Sequence, residues 1–387
     1  MRKKTFLNII VLLTFLIAII LNSYGRKSQG PITITDADLH SIMPEGDSFG
    51  KTETPFRYYE VYRENELIGY CLNTSDVAPD ERGYNGPIEM LVGLDKDCGI
   101  KDLKILRHSE TPQYVTGMLE PKFLNQFKQK GPKDRFIIGE DVYSITHATI
   151  SVKALAGTLK TSVDKMQSII YGKSETIRSK AKAIDLKPDF YITVLIITFL
   201  IIAFYLKIYW LRFTGFIISI AYFGFIKASF ISMTNVASLF LWRVPDFKSN
   251  ITWYAFIFSG LILTFLLGGF YCSSVCPFGR LQVLLDKAFK FKIEITPVIV
   301  KNLRKIRYIL LWALSVLAIS LNNPGIANYE PFSTVFLRRG SAAAWGIVII
   351  ILGLSIFHYR PFCNYFCAAG AFLDILADAG RKILRKK

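Results

Sequence analysis

Four of the six cysteines fall into two pairs of one spacing, Cys272/Cys276 in "YCSSVCPFG" and Cys363/Cys367 in "RPFCNYFCAAG". A step of four sets both sulfurs of a pair on one helical face, or around a tight turn if Pro277 ends the helix. Four thiolates from two neighbouring helix ends can surround an iron–sulfur cluster, with 4Fe-4S the expected type. The same set could hold zinc, or the pairs could exchange thiol for disulfide. One such pair is weak evidence for chemistry; two at equivalent places, the second with Ala368 where the first has Pro277, are much stronger. Cys71 and Cys98 lie elsewhere, with a disulfide or two free buried thiols both open to them.

A second stretch, "DVYSITHATISVKALAG" from Asp141 to Gly157, places the hydroxyls of Thr149 and Ser151 where a helical pattern begins. Both residue types cap helices. The free N–H groups and positive dipole end of a helix also suit a phosphate, so the stretch reads as a cap or as an attachment point. Histidine supplies a negative. Of the four in the chain, only His358 is near an apolar run, so a haem held by two histidines within a helical bundle is not available.

These residues are carried by two very different kinds of sequence. The chain is 51% hydrophobic with a mean hydropathy of +0.33, above an ordinary soluble protein, and long uncharged runs account for it. A bilayer core of ~30 Å takes roughly 20 apolar residues per helix. Candidate spans are Phe6–Asn22, Phe190–Leu206, Phe213–Ile226, Ile251–Tyr271, Tyr308–Asn322 and Ala342–His358, about six in all. The uncharged stretch Ala228–Trp242 either extends the third span or lies at the membrane surface.

A net charge of +17 could suggest nucleic acid, but its location argues for topology instead. With both termini cytoplasmic, the segments that six spans leave inside carry 19 lysines and arginines, whereas the two short outside loops carry Lys227, Arg243, Lys248, Arg338 and Arg339. That is the positive-inside bias of a multi-pass protein of the bacterial cytoplasmic membrane. No small-x-small cleavage site follows the first span, so residues 1–28 read as an uncleaved anchor.

The polar segment 29–187 is expected outside the cytoplasm as an α+β domain. "FRYYEVYR" and "YCLNT" alternate like strands, and "GPIEMLVGLDKDCGIKDLKILRH" reads as strand, turn at "DKDCG", strand. From Ser151 the period becomes 3.6, with Val152, Leu155, Leu159, Val163, Met166 and Ile170 on one face. Residues 188–387 form an all-α transmembrane bundle in this reading, with both cysteine pairs toward the cytoplasmic side.

The outer domain resembles the FMN-binding domain shared by RnfG/NqrC subunits of membrane redox pumps and by NosR. The resemblance rests on "GYNGPI" (Gly83 to Ile88), "VGLDKDCGI" (Val92 to Ile100), "HSETP" (His108 to Pro112) and "THAT" (Thr146 to Thr149), in that order. The membrane half, with its two C-x3-C pairs, is similar to NosR and to the RdhC/PceC-type proteins. The resemblance implies FMN joined as a phosphoester to Thr149 by a dedicated transferase, with Thr146, His147 and Ala148 completing the motif and Ser151 the next hydroxyl. It implies a flavin pocket formed by Gly83, Tyr84, Gly86, Pro87, Glu110 and Thr111. His147 stands where glycine is usual, and Tyr143 where an aspartate precedes the acceptor, with Asp141 two positions early.

The expected function is transmembrane electron transfer, from quinol or a cytoplasmic-side donor, through a cysteine-bound iron–sulfur centre, to FMN outside. A gap of about one bilayer, ~30 Å, must then be shortened by approach of the flavin domain, by a quinone, or by a partner subunit's cofactor. Two further readings stand beside it. One is a membrane-anchored redox sensor or assembly factor for a partner reductase; the other is a metal-free thiol–disulfide carrier.

Overall fold

The computed structural model describes residues 11, 13–23, 32–79, 81–111, 115–145, 148–172, 188–248, 250–289, 293 and 296–384. The chain forms two compact units. One comprises Tyr24–Ala183 with Trp242–Asp246; the other comprises Met1–Ser23, Ile184–Leu241 and Phe247–Lys387.

The first unit is built on an antiparallel meander in which each strand pairs with the next: β1 (Ser48–Thr52), β2 (Tyr58–Arg63), β3 (Glu66–Asn73), β4 (Glu89–Asp95) and β5 (Ile100–Arg107). The alternation of "FRYYEVYR" becomes β2, "YCLNT" falls at the end of β3, and the expected hairpin is β4–β5. Its turn is held by Asp95, whose Oδ1 accepts from the backbone N–H groups of Asp97 (2.9 Å) and Gly99 (2.8 Å). A Cβ on Gly99 would lie 2.6 Å from Asp95 Oδ2, so the close approach requires glycine.

Strand alternation sorts the sheet into two faces. Tyr58, Tyr70, Leu72, Met90, Val92, Leu94 and Leu103 pack on one side with the helix Thr149–Ile170, whose Val152, Leu155, Leu159, Val163 and Met166 are fully buried. At about 1.5–3 kcal/mol per buried side chain, that stripe is the main tie between helix and sheet. Tyr59, Val61, Cys71 and Leu91 pack on the other side with Leu39 and Ile42 of the helix Asp36–Ile42. Cys71 and Cys98 sit in these separate cores as free thiols, so of the two alternatives left open the disulfide is absent. Burial pushes both thiols up to about 12.

The second unit is helical. Among the described residues, Pro188–Leu206 (mean hydropathy 2.3) and Tyr209–Ile226 (1.4) are long and apolar enough to cross a membrane. Leu13–Ser23, Ile251–Leu267 and Ala342–Phe357 are shorter apolar helices within three other expected spans. Pro297–Ser320 is 24 residues long, but its first half bears Lys301, Arg304, Lys305 and Arg307, and the expected span Tyr308–Asn322 covers only its second half. Six spans are thus more than helix length and apolarity alone support.

The fourth span ends as a helix at Leu267, short of Tyr271, and the third differs from expectation at its start. The third begins at Tyr209 rather than Phe213 and continues from Tyr209–Ile218 into wider π-type turns over Ser219–Ile226. The stretch Ala228–Trp242 does not extend it, and only its end, at Phe240 and Trp242, is exposed. The chain turns at Ala228 (φ 46°), and Ser232 then caps a separate helix, Met233–Phe240, whose first six residues are buried. An aromatic core including Phe223, Phe270, Phe278, Phe332 and Phe362 fills the unit, and it takes in Cys276 and Cys367.

Candidate cofactor sites

The two cysteine motifs fold alike. The first cysteine of each lies in a short turn, Cys272 within Tyr271–Val275 and Cys363 within Pro361–Tyr365. The second stands directly before a helix, Cys276 before Pro277–Ala288 and Cys367 before Ala368–Leu384. In both, the N–H three residues on donates to that sulfur: Gly279 N to Cys276 Sγ at 3.5 Å and Gly370 N to Cys367 Sγ at 3.1 Å. Pro277 therefore starts a helix instead of ending one, at the position where a missing N–H costs nothing. Ala368 occupies the same place in the second copy, so the proline there is dispensable.

All four thiols line one cavity of about 250 Å³, together with Tyr271, Phe332, Arg304, Arg307, Arg360 and the single acid Asp374 among others. Among the described residues, no three His, Cys, Asp or Glu side chains converge as a mononuclear site requires. Zinc, with Zn–S of about 2.3 Å, would draw four sulfurs onto one point. Four thiols lining one cavity are also the donor set of a 4Fe-4S cluster.

The surroundings fit as well. Fully buried Gln282 donates Nε2 to Cys363 Sγ at 3.2 Å and accepts from Phe362 N at 3.2 Å. Arg280 and Arg360 both donate to the Cys272 carbonyl, at 3.2 and 2.9 Å, and Arg307 pairs with Asp374. The Nε atoms of Arg280, Arg307 and Arg360 are buried without a hydrogen-bond partner. Native interiors rarely leave such donors unanswered, and an anionic group beside them would offset their charge. Arg360 also holds a left-handed backbone (φ 52°, ψ 54°), which is costly for a residue with a Cβ.

In the sheet unit, Thr149 is exposed and is the first residue of its helix, two positions before the expected start. Ala148 stands at the N-cap, so no side chain caps this helix. Ser151 is buried and donates to Glu110 Oε2 at 2.6 Å. The cap reading therefore fails for both hydroxyls, and Ser151 is not free to serve as an alternative acceptor.

Glu110 Oε1 accepts from Asn85 N at 3.0 Å, and Asn85 Nδ2 donates to Thr111 Oγ1 at 3.2 Å. Gly83 N donates to Gly86 O at 2.7 Å, and a Cβ on Gly83 would fall 2.4 Å from Glu110 Oε1. The loop Gly83–Gly86, with Tyr84, is thereby clipped to Glu110, Thr111 and Ser151, while Pro87 is exposed. Burial drives the Glu110 carboxyl up to about 7, against hydrogen bonds from Ser151, Asn85 and Tyr84 that favour its ionised form.

His108 is not a plain surface histidine. Its Nδ1 is buried without a partner, and burial holds the imidazole below its ordinary range. Asp141 accepts from Ile137 N (2.7 Å), Phe136 N (3.0 Å) and Lys130 Nζ (3.2 Å), so it holds a turn. Tyr143 is 82% exposed. Thr146 and His147 lie outside the described residues.

Residues 83–164 match the FMN-binding domain family, and residues 249–296 with 343–387 match the 4Fe-4S binding domain family. The chain joins an FMN-binding domain to a 4Fe-4S binding domain. The first match holds the Gly83–Gly86 loop, Glu110 and Thr149; the second holds all four paired cysteines. This is the combination that the resemblance to NosR-like proteins implies.

Individual relatives agree. The chain is 26% identical over 151 residues to one component of the proton-translocating ferredoxin:NAD(+) oxidoreductase complex of Clostridium ljungdahlii, covering 38% of this chain and 79% of that one. It is 26% identical over 175 residues to the regulatory protein NosR of Stutzerimonas stutzeri (41% of this chain, 24% of that one). It is 32% identical over 118 residues to the protein NirI of Paracoccus denitrificans (28% and 17%). The chain thus spans most of the first relative but less than a quarter of the other two.

Several residues of the FMN-binding and 4Fe-4S domains are not evident in the sequence. The glycines at the third place after Cys276 and Cys367 stand in view, as "CPFG" and "CAAG", and their N–H···S role follows from that spacing. Asn85, Gln282 and Arg360 give no such signal. Nor does Arg243, whose Nη1 donates to Ser109 Oγ at 3.0 Å within the FMN-binding unit.

Proposed function

We propose that the protein is a membrane-bound electron-transfer flavoprotein. In this reading Cys272, Cys276, Cys363 and Cys367 ligate a 4Fe-4S cluster, and Thr149 carries FMN as a phosphoester. The observation that carries it is the single cavity lined by four thiols from two distant motifs. Clusters of this kind exchange single electrons, and FMN exchanges one or two.

The chain's own groups bind and tune. Gly279 N–H, Gly370 N–H and Gln282 soften the charge on three sulfurs, and Arg280, Arg307 and Arg360 offset what remains. At the other site, the uncapped first turn at Thr149 offers backbone N–H groups to a phosphate. Glu110 holds the Gly83–Gly86 loop against the helix.

The topology that goes with this reading has six spans. Residues 1–28 form an anchor, 29–187 an FMN-binding domain outside the cytoplasmic membrane, and 188–387 a helical cluster-binding domain, with both termini inside. Electrons enter from quinol or a cytoplasmic-side donor and leave through FMN to a partner reductase or redox protein, after a flavin transferase has modified Thr149. Iron, acid-labile sulfide and in-gel flavin fluorescence on purified full-length protein test the proposal. Absence of both iron and flavin overturns it.

The likeness to NosR, a regulatory protein, favours a second reading, a sensor or assembly factor. Such a role tolerates loss of the paired cysteines in a partner-reductase assay, whereas a conduit does not.

A further inference from the structure

Arg243 lies well beyond the FMN-binding match, which ends at residue 164, yet Trp242–Asp246 belongs to the FMN-binding compact unit. Its Nη1 donates to Ser109 Oγ at 3.0 Å. Gly86 has φ +140°, a conformation open chiefly to glycine, and a Cβ there would come 3.2 Å from Arg243 Nη1 and 3.8 Å from its Cδ. The guanidinium is therefore laid against bare backbone of the Gly83–Gly86 loop, beside the residue that precedes Glu110. Glu110 in turn bonds Ser151, which is two positions from Thr149. One cation thus touches the Gly83–Gly86 loop and the "HSETP" segment together.

Charge makes this placement informative. The segments Gly83–Gly86, Ser109–Thr111 and Ala148–Ser151 contain one acid, Glu110, and no cationic side chain of their own. A ligand with a phosphate, and with a ring that gains negative charge on reduction, calls for a cation that these segments lack. Arginine suits the task, being always ionised and presenting several N–H groups in a planar fork.

We infer that Arg243 is the cationic contact of the bound flavin, supplied from far along the chain to the Gly83–Gly86 loop and Ser109. The inference rests on the proposal that FMN occupies this unit at Thr149. Flavin that takes up two electrons and one proton gains one negative charge, and a neighbouring guanidinium favours that reduced form. Arg243 therefore raises the flavin's midpoint potential.

The test is an anaerobic dithionite titration of full-length protein in detergent, following flavin absorbance against reference dyes. Arg243→Gln keeps a donor for Ser109 and removes the charge; Arg243→Lys keeps the charge and loses the fork. The expected result is covalent flavin retained in both, a midpoint shifted to more negative values in Arg243→Gln, and a midpoint near wild type in Arg243→Lys. Should the glutamine variant fail to fold, the visible spectrum of Arg243→Lys decides: an altered flavin band supports the contact, and an unchanged one overturns it. Equal potentials for wild type and Arg243→Gln also overturn it, leaving Arg243 a loop pin. Flavin that survives Thr149→Ala, with a potential still sensitive to Arg243, sinks the anchor and keeps the arginine. Wild type without flavin overturns both.

Discussion

Ser151 and Glu110, forty-one residues apart, are joined by a 2.6 Å hydrogen bond that ties the start of the Thr149–Ile170 helix to "HSETP", and Glu110 in turn accepts from Asn85 N of "GYNGPI". The bond separates the two hydroxyls at this helix end. Ser151 is buried and engaged, and Thr149 is exposed.

Thr149→Ala is therefore expected to abolish in-gel flavin fluorescence after denaturing electrophoresis, with the transferase co-expressed. Thr149→Ser, which keeps a hydroxyl at the same place, should retain part of it. Fluorescence at wild-type level in the alanine variant would mean that the acceptor lies elsewhere.

Glu110 gives a pH dependence. Its carboxyl moves from 4.5 to about 7 on folding, chiefly through burial. Between those values the unfolded chain releases a proton that the folded chain keeps. Its contribution to stability is thus complete below 4.5 and lost as pH rises through about 7, by at most about 3 kcal/mol. Hydrogen exchange at Asn85 and its neighbours should speed up across this window in wild type. In Glu110→Gln the profile should be flat, and a slope that persists would assign the effect to another group.

For the cluster site, Cys276→Ser and Cys363→Ser should each lower iron and acid-labile sulfide by about half or more, since each removes one of four ligands. Flavin content should remain as in wild type. Cys71→Ser and Cys98→Ser are the matched controls. Each puts a hydroxyl into an apolar core, at about 1–3 kcal/mol, without touching iron. Equal iron in all four variants would remove the paired cysteines from the ligand set.

Gly279 offers a subtler perturbation. A Cβ there would come 2.7 Å from Arg360 Nη2 and 3.3 Å from the Cys272 carbonyl oxygen. Gly279→Ala should push the guanidinium off that carbonyl and reduce iron content. Gly353, with nothing within 4 Å of its Cβ position, should accept alanine and gain about 1 kcal/mol of helix stability. If both substitutions leave iron and thermal midpoint alike, Arg360 has no part in holding the site.

The legible parts of the sequence are those written as local pattern. The 3.6-residue stripe from Val152 to Met166, the "DKDCG" turn and the repeated C-x3-C spacing all survive as structure because neighbouring residues alone determine them. The helix start is misplaced in the sequence because Thr149 and Ser151 look alike as caps, and only burial against Glu110 tells them apart. Met233–Phe240 escapes notice because an apolar segment packed inside a helical unit has the composition of a membrane span but half its length. Arg360 and Gln282 are not legible at all, since their meaning lies in which carbonyl or sulfur the fold brings to them. The span count sits between these cases. Composition names apolar runs, but the charged first half of Pro297–Ser320 shows that a run and a helix need not coincide.

The paired cysteines have one more consequence. A centre held by Cys272, Cys276, Cys363 and Cys367 would staple together points separated by the whole stretch from Pro277 to Phe362, closing a loop whose entropy the metal-free chain must bear unaided. Iron supply would then govern how tightly the helical half holds its shape, as well as whether it conducts. A chain starved of iron would then be the looser molecule and the readier substrate for a protease, which would write the cell's metal status into how long the protein lasts.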